Sequence, residues 1–191
     1  MTFVKKLLQY LVFSLGLAGL FVYLTLFIGS FWRAEPGWWT LFILIAGLLS
    51  GIGCARVFQN LKPKKRRWLV YFGTACFMLF MAIVGLMVGA SLGGNGIVNI
   101  EFAGLVGYES AGLLFAILGS VLGTYLAYRI LAEKGIPVLW TILACSLGAG
   151  LELLAGGMTW IQSGAPYLAS LFLPLLFILI LDWQKHRPSA R

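Results

Sequence analysis

Composition, uncharged runs and the placement of bases together predict an all-α integral membrane protein, a six-transmembrane-helix bundle with both termini cytoplasmic. Of the 191 residues, 61% are hydrophobic and 10% charged, where a soluble domain carries about 25% charged residues. Six acids and fourteen bases cannot coat a globule with so much apolar surface. This argues against a water-soluble enzyme and against disordered, collagen-like and disulfide-scaffold classes. Uncharged stretches recur near the length of roughly 20 residues that a helix needs to cross a ~30 Å hydrocarbon core. None alternates in polarity as a β-barrel strand would.

The chain reads as one membrane domain, 1–191, with spans at 7–31, 38–58, 68–93, 106–130, 137–160 and 166–183. Span one follows Lys5 and Lys6 and reads as a retained helix. Its apolar run exceeds a leader's, and Ser30-Phe31-Trp32-Arg33 has no small-x-small cleavage site. Arg56 sits near the end of span two, and spans two and three are separated by the basic loop of Lys62, Lys64, Lys65, Arg66 and Arg67. Span three leads into a Gly-rich exit, and the uncharged run of span four lies between Glu109 and Arg129. The last apolar stretch is divided into spans five and six by the turn signal Gln162-Ser163-Gly164-Ala165-Pro166.

Thirteen of the fourteen bases fall on one side of this arrangement, with Arg33 opposite, so the positive-inside rule places that side in the cytoplasm. Trp32, Trp38, Trp39 and Trp160 mark the outer boundary, and Trp68, Trp140 and Trp183 the inner one, as an aromatic belt would. The expected setting is a bacterial inner membrane. The surplus of +8 needs no nucleic-acid partner. The basic loop reads as a topology anchor with anionic lipid headgroups against it.

Cys54, Cys76 and Cys145 fall within spans and form no CxxC pair, which reads as packing. With His186 as the one histidine and no thiol cluster, haem and zinc sites within the chain are not expected, nor any other cofactor or metal. No GxSxG, HExxH or phosphate-binding glycine loop occurs, so an enzyme is not expected.

Small residues spaced by four recur: Gly47, Gly51 and Ala55 in span two, and Gly85, Gly89 and Gly93 in span three. Span four has Gly112, Ala116, Gly119 and Gly123, and span five Ala144, Gly148 and Gly156. Such ridges let helices approach closely in lipid and read as bundle packing. Ser14 and Ala18 extend the pattern to span one as a docking face for another subunit.

Glu35, Glu133 and Asp182 sit beside bases at boundaries. Glu152 differs, because it lies some 22 Å along span five at 1.5 Å per residue, inside the bilayer, and fills the gap between Gly148 and Gly156. Glu109 stands at the outer rim of span four, on the face of Gly112 and Ala116, and Glu101 lies farther out. An intramembrane carboxylate is a functional candidate by default. If spans four and five are neighbours, Glu109 and Glu152 would share an outward-opening proton or cation acceptor.

The expectation is therefore a small polytopic transport protein for a small solute or cation. Its site would comprise Glu152, Glu109 and Glu101, with Asn95, Asn99, Tyr108 and Gln162 as polar contacts. The alternative is a non-catalytic helical subunit or assembly factor, partnered by other membrane subunits or by a second copy. In size and helix number the chain resembles the substrate-binding membrane subunits of energy-coupling-factor transporters, a resemblance that would make Ser14 and Ala18 the docking face.

Overall fold

The computed structural model describes residues 3–32, 39–98, 107–132 and 143. Among them are four helices and no strand: α1 (Phe3–Trp32), α2 (Trp39–Asn60), α3 (Pro63–Gly94) and α4 (Tyr108–Ala132). All four are long and apolar enough to cross a membrane. At 1.5 Å per residue, the 22 residues of α2 reach about 33 Å and the 32 of α3 about 48 Å. Spans five and six, with Glu152, lie outside the described residues apart from Leu143.

α3 begins inside the basic segment, which corrects the expectation of a loop over residues 62–67. Pro63 is the first helical residue, and Lys62 before it is extended (φ −64°, ψ 149°). Proline suits this position because its φ is already helical and its missing N–H would have had no intrahelical partner. The amides of Lys65 and Arg66 both donate to the Lys62 carbonyl, at 3.0 and 3.2 Å. The connection from α2 thus shrinks to Leu61 and Lys62.

At its other end α3 stops in a Schellman motif. Gly96, at φ +68°, donates to the Gly93 carbonyl at 3.1 Å, and Ile97 donates to that of Leu92 at 3.0 Å. Gly96 supplies the left-handed residue that such an ending requires. α4 opens after Gly107, also at positive φ, whose carbonyl accepts from the Ala111 amide and the Ser110 hydroxyl.

The helices pack in the order α2–α1–α3–α4, with α3 most extensively against α4 and α1 against α2. Direction follows from close approaches. A Cβ added at Gly47 would lie 2.7 Å from the Ala18 Cα, and one at Gly51 would strike the Phe13 carbonyl and Ser14, so α2 runs antiparallel to α1. Gly16 meets the Phe77 amide nitrogen (2.8 Å) and Gly19 the Phe80 Cα (2.9 Å), so α3 runs parallel to α1. Gly85 abuts Phe115, Gly89 abuts Ala111, and Gly93 abuts Gly107, so α4 returns. Ser14 and Ala18 are therefore covered by α2 of the same chain, which corrects their reading as a face for another subunit.

The interior inverts the pattern of a soluble helix. On α4 the buried face is Ser110, Ala111, Gly112, Gly119, Ser120, Gly123, Thr124 and Ala127, while Leu118, Leu122 and Leu126 point outward. Lipid tails are as apolar as leucine, so large side chains gain nothing by turning in, and small ones let backbones meet. Two of the buried hydroxyls of α4 are satisfied within their own helix: Thr124 Oγ1 donates to the Ser120 carbonyl at 2.7 Å, and Ser120 Oγ to that of Ile117 at 2.8 Å. Large buried side chains collect instead where α1 and α3 begin and α2 and α4 end, around Phe13, Phe58, Phe77, Tyr128 and Leu131. The Phe13 and Phe58 ring centroids are 5.4 Å apart.

Candidate functional site

The alternating helix directions sort the charges to opposite ends. Lys5 and Lys6 begin α1, Arg56 nears the end of α2, Lys62 to Arg67 lead into α3, and Arg129 nears the end of α4. Every described lysine and arginine thus lies at one end. Glu109, the one acid among the described residues, lies at the other, in the first turn of α4.

At that acidic end the structure brings Asn95, Tyr108 and Glu109 to a common rim. α3 terminates level with the start of α4, where a Cβ at Gly93 would lie 2.5 Å from the Gly107 carbonyl oxygen and 2.8 Å from the Tyr108 Cα. Asn95 and Glu109 are exposed, and Tyr108 is 58% exposed. The Tyr108 hydroxyl donates to Glu109 Oε1 at 3.3 Å, which holds the carboxylate at the rim and leaves its remaining oxygen sites for a cation or a water. Its position beside the first amides of α4 also suits a negative charge, because the helix dipole is positive there. Glu101 and Asn99, in the connection from α3 to α4, fall outside the described residues, as do Glu152 and Gln162. Among the described residues no three His, Cys, Asp or Glu side chains gather as a metal site would require. Cys54 and Cys76 are free thiols.

The basic end is less uniform than its sequence implies. Lys62, Lys65 and Arg67 are exposed, but Arg66 is half-buried. Its Nη2 donates to the Gln59 carbonyl at 2.6 Å, and its guanidinium carbon stands 5.1 Å from the centroid of the Phe58 ring, a cation–π contact. Arg129 Nη1 donates to the Tyr125 hydroxyl at 3.2 Å.

Sequence reasoning missed the buried polar groups beside this end. Gln9 is 1% exposed with Oε1 unpartnered, and Thr74 is fully buried with Oγ1 unpartnered. Gln59 Nε2 and Arg66 Nε are also buried without a partner. A glutamine inside the uncharged run of α1 was the available signal. Gly16, Gly19 and Gly73 were also missed, since they fall outside the spacing-of-four ridges although each meets a neighbouring helix. Of the ridge glycines, Gly119 abuts the Met81 carbonyl and Gly123 the Met81 Cβ, at 2.7 Å. Gly112 has ordinary clearance, with nothing nearer than 3.6 Å. Gly148 and Gly156 lie outside the described residues.

No protein-family model, curated protein or solved structure matches the chain.

Proposed function

We propose that the protein is a multi-pass membrane transport protein for a small solute or cation, admitted at the acidic end of the bundle. The observation that supports this most is the segregation of charge, with Glu109 at one end and every described lysine and arginine at the other. A carboxylate at the mouth of a low-dielectric bundle concentrates cations there. In this reading Glu109 and Tyr108 form the entrance, with Asn95, Asn99, Glu101 and Gln162 around it. Glu152, deeper along the fifth of six spans, receives the ion or proton. The basic end then faces the cytoplasm of a bacterium, together with both termini, and the ridge glycines hold the bundle closed around the path.

The test is uptake into proteoliposomes driven by an imposed proton or cation gradient. Glu152→Gln is expected to abolish uptake and Glu109→Gln to slow it at low cation concentration while leaving the saturating rate nearly unchanged. Uptake that is equal in wild type and Glu152→Gln removes that residue from the mechanism. An absence of any uptake turns the reading toward a non-catalytic subunit, which the commitment of so many glycines to interhelical contact would suit.

A further inference from the structure

The two flanks of α4 differ in what covers them. Gly119 and Gly123 turn toward α3, where both abut Met81, and Ala127 continues their stripe. One residue earlier at each turn, Leu118, Leu122 and Leu126 are exposed, whereas one residue later Ser120, Thr124 and Tyr128 are buried. Successive residues stand about 100° apart round a helix, so these stripes lie on opposite flanks of the α3 contact. α1 covers the basic end of the buried flank, where Phe13 joins Tyr128 and Leu131 in one cluster. Toward the acidic end α1 offers less. It contacts α4 far less than α3 does, and none of its residues from Leu20 to Thr25 is buried. Gly19 reaches Phe80 and Gly119 reaches Met81, so this loss begins at the level of Ser120.

The chain itself supplies a cover. α4 ends with Ala132 at the basic end, and the fifth span expected from the sequence begins at 137. The four intervening residues reach at most about 14 Å, which returns the next helix alongside its predecessor as an antiparallel pair. A helix on the leucine flank would bury Leu118, Leu122 and Leu126, which are exposed. We infer that residues 137–160 dock on the other flank, antiparallel to α4, with Ser120 and Thr124 in the seam.

The short connection also sets the register. With residue 137 beside residue 132, Ala144 falls beside Thr124, Gly148 beside Ser120 and Glu152 beside Ala116, each to within one residue. Small residues at spacing four then meet small residues at spacing four, which suits close packing in lipid, and Glu152 interrupts the match. It stands about a turn from Ser120 Oγ, which donates to the Ile117 carbonyl at 2.8 Å and keeps its lone pairs to accept from a protonated carboxyl. Glu109 is seven residues before Ala116, about 10 Å further out. The two carboxylates are therefore successive stations and not one shared pair. The inference takes the fifth span from the sequence and does not require that the protein transport anything.

Paired cysteines in the full-length protein, with the three native cysteines replaced by alanine, test it by copper-phenanthroline oxidation in membranes. Thiols that remain free are counted after denaturation by the gel shift with a polymer-linked maleimide. Thr124→Cys with Ala144→Cys, and Ser120→Cys with Gly148→Cys, are expected to close within one chain and lose both shifts. Leu122→Cys with Gly148→Cys is expected to oxidise at least about tenfold more slowly, because Cα atoms more than about 7 Å apart cannot be bridged without backbone movement. The pair at Thr124 and Ala144 changes little volume and carries the test if Gly148→Cys fails to fold. Three results would overturn the docking. One is that both flank pairs stay reduced, and another is that the Leu122 pair closes as fast as they do. The third is cross-linking between two chains, which would put a second copy on this flank. Helix position is read here and not uptake, so each of these results leaves the transport reading to its own test.

Discussion

Gln9 sits in the first half of α1 with 1% of its surface exposed and its carbonyl oxygen unpartnered. Leucine has nearly the same volume and no polar atoms to satisfy. Gln9→Leu is therefore expected to stabilise the protein by about 1 kcal/mol, the lower end of the cost of an unmade buried bond, read as a shift in the denaturant midpoint. A loss of stability would show that the amide has a partner, such as a bound water. Glu109 is the opposite case. It is exposed, and its one side-chain bond is to the adjacent Tyr108 hydroxyl, so Glu109→Gln is expected to leave the unfolding midpoint nearly unchanged. Any slowing of uptake in that variant then reflects the lost charge and not a damaged fold.

At the scale of helices, backbone contact makes the glycines unequal. A side chain at Gly85 or Gly89 would strike the main chain of α4 at Phe115 or Ala111, whereas one at Gly53 meets nothing within 4 Å. Gly85→Val and Gly89→Val are expected to destabilise by about 1–3 kcal/mol through overpacking. Gly53→Ala is expected to be neutral or slightly stabilising. An equal loss at Gly53 and Gly89 in denaturant titration would contradict these contacts.

What the sequence made legible at this scale was the apolar helices themselves, because length and hydropathy are enough to identify a membrane-spanning segment. The identity of each ridge's neighbour was not legible. Small residues at spacing four state that something approaches, and Ser14 and Ala18 face α2 of their own chain rather than a second subunit. The helical start at Pro63 was hidden for a different reason. A proline followed by four bases resembles a loop, yet proline is favoured at the first helical position, and the opposition of those bases to the helix dipole is screened at a water-exposed end. At the candidate site, the rim of Asn95, Tyr108 and Glu109 was readable as outward polar residues, while the bond between Tyr108 and Glu109 depends on side-chain geometry that spacing does not reveal.

Across the four described helices, the consequence of alternating helix directions is a strong axial asymmetry of charge. The turn at Lys62 and the turn at Asn95 stand at opposite ends of α3, separated by a helix of 32 residues, about 48 Å. A transport path that admits cations at one mouth and is anchored by bases at the other requires these ends to face different compartments. The direct measurement is labelling with a membrane-impermeant maleimide in intact cells, using Lys62→Cys and Asn95→Cys in a background with the three native cysteines replaced by alanine. Asn95→Cys is expected to be labelled in intact cells and Lys62→Cys only after the membrane is opened. Labelling of both positions from the same side would contradict it.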